Sequence, residues 1–306
     1  MDWTRFFNVL IDGIQLGSVY ALIALGYTMV YGILKLLNFA HGDIYMIGAF
    51  IGFGVLTVFG GPLSPNLPLA PLLLLMFLVA MLGSGFLGVA VERFAYRPLR
   101  DAPRIAPLIS ALGVAFFLEN SALLLFGSQY RQYNGFELIG TGGFFIGTVK
   151  ITWINLLVVS SAAGLMVALM LLVSRTKLGK AMRATSFDRE AAAMQGIDID
   201  RVIVWTFFIG SALAGAAGVM AGLAYSSIYH FMGFTAGLKG FAAAVVGGIG
   251  SIPGAMAGGL LIGLAESFTA GYMNGTWKDA VTFSILVLVM LVRPTGLFGK
   301  PEIKKV

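Results

Sequence analysis

Asn38-Phe39-Ala40-His41-Gly42-Asp43 separates two long apolar stretches and is the densest polar cluster inside the hydrophobic bulk of the chain. Asn, His and Asp are costly in lipid, so at such a position they imply a cavity lined by protein or water. Gly42 lets the backbone break there, and broken backbone at membrane depth persists only where protein or water satisfies its polar groups. A plain helical anchor has no use for this. The alternative is a short, wet turn outside the membrane, since hydropathy does not fix depth to within a few residues.

Composition around that cluster sets the class. The 306 residues are 58% hydrophobic and 11% charged, with a mean hydropathy of +0.90, against about 25% charge in an average soluble domain. Several stretches exceed the roughly 18 apolar residues that cross a bilayer as a helix. The expected fold is an all-α polytopic membrane protein of about eight transmembrane helices (eight to ten). Short or broken helices are expected near 34–44 and 233–254, and a single transmembrane domain over 1–306. The net charge of +6 sits in loops between spans, as the positive-inside rule describes, so lipid is an expected partner and nucleic acid is not. The chain has no Cys, which removes disulfides, thiolate catalysis and cysteine metal sites. The first apolar run carries Asp12 and Gln15 and continues to Leu34, so it reads as an uncleaved span.

Working outward, spans are expected at about 8–34, 44–59, 72–91, 107–126, 153–174, 202–224 and 280–292. Pro62, Pro65, Pro68 and Pro71 stiffen an external connection. Residues 128–150 suit a small outer hairpin or a plain loop. Arg93, Arg97, Arg100 and Arg104 mark one cytoplasmic loop, and the stretch 175–201, with six Lys or Arg and four acids, marks another. The small-residue run 233–263, broken by Gly247-Gly248, Gly250 and Pro253-Gly254, reads as a short helix, a tight turn and a further helix. If the short piece crosses, the basic tail ending in Lys304-Lys305 is cytoplasmic, as its charge requires. The glycine-rich stretches 42–54 and 247–263 could form a distant inverted repeat.

Small residues recur four apart at Gly13/Gly17, Gly48/Gly52, Gly218/Gly222, Gly250/Gly254, Gly254/Gly258 and Gly259/Gly263, a spacing for close helix packing rather than for chemistry. Polar residues within spans are pathway candidates: Asn38, His41, Asp43, Glu119, Asn120, Glu266 and Asp12. A structural carboxylate bonding a neighbouring helix is the rival reading, and Lys239 and Arg131 fit interfacial positions. Glu190-Ala191-Ala192-Ala193-Met194-Gln195-Gly196 reads as a short helix capped by Asp188 or Ser186 and ended by Gly196. It is suited to hold a cytosolic partner or to serve as a solvated connector. There is no phosphate loop, since Gly179-Lys180 precedes Ala181 and Gly299-Lys300 precedes Pro301; His41 and His230 give no metal-binding helix; and no G-x-S-x-G elbow occurs. Neither enzyme activity nor a cofactor is expected, and energy from ATP would enter through another subunit.

Leu16-Gly17-Ser18-Val19-Tyr20-Ala21-Leu22-Ile23-Ala24-Leu25-Gly26-Tyr27, leading through Val30-Tyr31-Gly32 to the Asn38–Gly42 cluster, resembles the H-type permeases of branched-chain amino acid ABC importers. The likeness recurs in Val91–Pro98, Gly196–Ile203, Gly247–Ala255, Pro294-Thr295-Gly296 and Gly299–Glu302. It covers essentially the whole chain and is weakest over 128–150. The resemblance implies a second related permease, two cytosolic ATPases, and an outer binding protein that delivers leucine, isoleucine or valine. It also implies a place in the bacterial cytoplasmic membrane. Glu190, Ala191, Ala192 and Gly196 match the start of the coupling loop of ABC permeases, while Thr206-Phe207-Phe208-Ile209 stands where its later part belongs. Urea, short amides or other amino acids remain alternative substrates, and an ion-coupled carrier using Asp12, Glu119 and Glu266 is an alternative mechanism.

Overall fold

An uninterrupted apolar run in lipid satisfies its backbone most simply as a helix. The computed structural model describes residues 3–60, 67–100, 102–103 and 105–299. Pro62 and Pro65, Arg104 and the tail beyond Gly299, with Lys304 and Lys305, lie outside the described residues. In chain order the helices are α1 (Trp3–Leu34), α2 (His41–Phe59), α3 (Leu69–Val91), α4 (Ile105–Phe126), α5 (Gly135–Ile139), α6 (Trp153–Arg175), α7 (Lys177–Phe187), α8 (Arg189–Met194), α9 (Ile199–Tyr225), α10 (Met232–Gly247), α11 (Ile252–Tyr272) and α12 (Lys278–Val292). Among the described residues, eight helical segments are long and apolar enough to span a membrane, and α10 is a shorter apolar helix. The chain is an all-α, multi-pass membrane protein.

The first break lies inside the bundle, not in an external turn. Lys35 ends α1 in the left-handed region, at φ 56. The chain then folds back, and His41 opens α2 with its imidazole against Gly26, where a Cβ would collide with it. Gly26 precedes Leu34 by about two helical turns, so α2 starts about 12 Å inward from the end of α1. Asn38 and Ala40 are buried on the way.

A second break mirrors it. Ser226, also at φ 56, ends α9, and α10 begins at Met232. The glycine that follows each left-handed residue by seven positions, Gly42 in α2 and Gly233 in α10, meets the other. A Cβ on Gly42 would run into the Gly233 carbonyl and lie 2.7 Å from the Cα of Gly237. Packing repeats the same correspondence. α1 lies chiefly along α11 and α9 chiefly along α3; α2 rests on α9 and α3 as α10 rests on α1 and α11. The halves α1–α4 and α9–α12 therefore have matching order and opposite direction, an inverted repeat. Its register pairs α2 with α10, rather than with the expected stretch 247–263.

Glycine supplies the close approaches at these interfaces. Gly17 and Gly263 leave no room for a Cβ between α1 and α11, Gly48 and Gly215 none between α2 and α9, and Gly258 sits against Ala243 and Gly247. α10 carries the chain from the far end of α9 to the start of α11, through a turn with Gly248 and Gly250 at φ 107 and 93. The N–H groups of Leu297 and Phe298 then donate to the carbonyls of Val246 and Gly247, each at 2.9 Å.

That anchors the segment after α12 at the end of the bundle where the basic segments Arg93–Arg100 and 175–201 gather. α3 runs on through a π-helical turn, Glu92–Tyr96, into the 3-10 turn Arg97–Leu99. There Arg97 and Arg100 pair with Asp200 at the start of α9, and Arg100 also pairs with the buried Glu92. At the opposite end, strands Gly143–Ile146 and Val149–Thr152 form the hairpin that the sequence allowed. Gly147, at φ 64, opens its turn. Arg131–Gln132 pairs antiparallel with Ser227–Ile228 there.

Gly42→Ala is expected to lower stability by about 1–3 kcal/mol, the usual cost of overpacking, because the obstructing atoms are backbone. Gly113→Ala in α4, where nothing lies within 4 Å, should be neutral or mildly stabilising. Thermal unfolding of both variants in detergent, followed by size-exclusion chromatography, tests the difference.

Candidate translocation site

α2 and α4 run side by side in the same direction. Phe50 stacks on Phe126, with ring centroids 4.3 Å apart and planes at 11°. Two turns earlier on each helix stand Asp43 and Glu119, about 10 Å below that level. Both line a cavity of about 50 Å³, with Tyr27, Phe39, Phe116, Phe234 and Phe241 among its walls. Gly233 and Gly237 of α10 also face it, so backbone closes that side. Asp43 is 2% exposed, and its Oδ1 has no hydrogen-bond partner among the described residues. Glu119 is buried too. A carboxylate buried in this way costs several kcal/mol unless a cation or a proton answers it.

Asn38 and His41 sit at the break beneath the cavity. The Tyr96 hydroxyl donates to the Leu37 carbonyl at 3.0 Å, or to Asn38 Oδ1 at 3.2 Å, which pins the non-helical segment to the end of α3. The His41 ring meets Tyr27 edge-on, 4.9 Å between centroids. The Asn38 Nδ2 and both His41 ring nitrogens lack partners of good geometry among the described residues.

The remaining pathway candidates lie elsewhere. Asn120 is exposed on the other side of α4 and donates back to the Phe116 carbonyl at 2.7 Å; neighbours on a helix point about 100° apart. Glu266, 1% exposed, is the hub of a separate cluster. It accepts from the Tyr20 hydroxyl at 3.0 Å and the Thr282 hydroxyl at 2.7 Å, and pairs with Lys239 at 2.9 Å. Lys239 reaches Asp279 as well, at 2.8 Å. This cluster joins α1, α10, α11 and α12, and it places Lys239, expected at an interface, inside the bundle. Its partners are too far apart in sequence for any local pattern to reveal them. Arg131 does stay at the surface, where it donates to the carbonyl of Phe126 that ends α4. Asp12 is exposed and borders a groove of about 440 Å³ at the same end.

At the basic end, residues 175–201 build two helices where one was expected. Thr176 caps α7 by accepting from the Gly179 N–H at 3.0 Å. A threonine three residues before Gly179 was the signal available in the sequence. Asp188 caps α8 by accepting from the Ala191 N–H at 3.0 Å. The end of α8 is a Schellman turn: Gly196 and Ile197 donate to the carbonyls of Ala193 and Ala192. Gly196 takes φ 79 there, a conformation that favours glycine. Ala192 is buried, Glu190 and Ala191 are exposed, and Phe187 and Met194 stand 82% and 83% exposed. Arg189, the first residue of α8, donates from Nε and Nη2 to the Ile33 carbonyl in the last turn of α1, at 3.1 and 2.5 Å. Partial burial, then the nearby Arg100, draw its pKa below the usual guanidinium value.

Residues 9–290 match the family described as branched-chain amino acid transport system / permease component. The chain belongs to that family. This permease is 43% identical over 307 residues to the high-affinity branched-chain amino acid transport system permease protein BraD of Pseudomonas aeruginosa, covering 99% of this chain and 98% of that one. It is 42% identical to the corresponding protein LivH of Escherichia coli K12, covering 98% of each. A more distant relative, 25% identical over 90% of this chain and 72% of the other, is the autoinducer 2 import system permease protein LsrC of Yersinia enterocolitica.

In this permease, Lys239→Met should strand Glu266 and cost about 3–5 kcal/mol, as removal of one partner from a buried pair does. The double variant Lys239→Met/Glu266→Met should be more stable than the single one, because it removes both buried charges. Chemical denaturation in detergent, monitored by Trp fluorescence, measures the order.

Proposed function

We propose that this chain is the transmembrane permease subunit of an ATP-driven importer for leucine, isoleucine and valine. The observation that carries this reading is the near full-length similarity to branched-chain amino acid permeases, at 42–43% identity. A second, related permease completes the path, two cytosolic ATPases drive it, and a binding protein outside delivers the substrate. The basic end then faces the cytoplasm, in accord with the positive-inside rule, and the hairpin end faces outward. The whole chain serves as one permease domain in the bacterial cytoplasmic membrane.

The path runs by the broken helices, past Asn38, His41, Asp43 and Glu119. An inverted repeat whose halves meet at two helix breaks suits alternating access by rocking of one half against the other. α7 and α8 form the docking surface for an ATPase, with Glu190, Ala191 and Gly196 exposed on it and the buried Ala192 seating α8 against the bundle. Phe187 and Met194 supply apolar area that a partner would cover. The bond from Arg189 to the Ile33 carbonyl would carry a displacement of α8 to α1, next to the break.

Reconstitution with the partner subunits in proteoliposomes should give leucine uptake that requires ATP and the binding protein and ignores ionophores. Uptake by the chain alone that collapses with an ion gradient would reject the reading in favour of a secondary carrier. Glu190→Ala and Gly196→Val should reduce uptake at least tenfold while the chain still inserts in the membrane. Normal uptake by both variants would reject the docking assignment.

A further inference from the structure

We propose that Asp43 and Glu119 together receive the α-ammonium group of the amino acid on its way through the membrane, an inference that rests on the importer reading above. Two carboxylates line one small cavity, and among the described residues no basic side chain lines it with them. Lys239, a cation of the adjoining α10, is already engaged by Glu266 and Asp279. No basic side chain among the described residues therefore answers Asp43 and Glu119 within the cavity, and the unpartnered Oδ1 of Asp43 offers a buried acceptor. Five aromatic rings, Tyr27, Phe39, Phe116, Phe234 and Phe241, complete the walls. Their faces attract a cation and repel an anion. The site thus selects one end of a zwitterion.

Chemistry points to the head group rather than the whole molecule: the two carboxylates can accept hydrogen bonds from an ammonium and offer nothing to an aliphatic side chain. The aliphatic part would lie at the mouth, against Leu112, Ala115 and Leu238, which border the same cavity. On the importer reading, this side of α4 and α10 would face the path between the two permeases rather than lipid.

The native chain contains no cysteine, so Ala115→Cys introduces a single thiol at the mouth. In the reconstituted complex, a cationic methanethiosulfonate should modify this thiol at least tenfold faster than an anionic reagent of equal size. Equal rates, a faster anionic reagent, or no reaction with either would overturn the proposal. Asp43→Asn and Glu119→Gln should each reduce ATP-driven leucine uptake at least tenfold, with the four-part complex still purifying intact. Variants that assemble and transport within twofold of the unmodified complex would overturn the inference alone. An unmodified complex that takes up no leucine with ATP would overturn the importer reading.

Discussion

Backbone that leaves the helix inside a membrane has to be covered by protein, and the contact of Gly42 with Gly233 and Gly237 provides that cover. Two helices start there, each after a left-handed residue, and each lays its backbone directly on the other. A side chain at Gly42 or Gly233 would push the two starts apart. The long helices α1, α9, α3 and α11 form the frame around this contact, and small residues bring them close enough to seal it. The cavity with Asp43 and Glu119 exists because α2 starts in the interior and α10 contributes bare backbone to one wall.

Much of this was legible in the sequence because lipid makes such demanding rules. Stretches of apolar residues marked the spans, the Asn38–Asp43 cluster marked the first break, and Asp188 with Gly196 marked the ends of α8. The second break was harder to place: 226–231 holds aromatic and hydroxyl residues, and it announces itself only through the conformation of Ser226 and the position of Gly233. Partnership between distant side chains was not legible at all. Glu119, Asn120 and Glu266 look equivalent as polar residues in apolar runs. The fold turns Asn120 outward, gives Glu266 the hydroxyls of Tyr20 and Thr282 with the ammonium of Lys239, and leaves Glu119 beside Asp43. Each outcome depends on which helix packs alongside, and pattern within one helix carries no record of that.

The two acidic centres differ in how far the bundle satisfies them. Glu266 has its acceptor sites filled by side chains on three other helices, so it holds the bundle together and has little left to offer a ligand. Asp43 has an oxygen to spare. Both are buried, yet only Asp43 retains unspent capacity for a hydrogen bond among the described residues.

The clasp from Arg189 is made to a main-chain oxygen, that of Ile33. Every residue type at position 33 would present that oxygen, whereas only a long side chain with a forked donor can reach it with two N–H groups. The two halves of the joint therefore answer to different demands: position 189 must supply a long forked donor, while position 33 supplies only its main chain to the clasp and its buried side chain to the core.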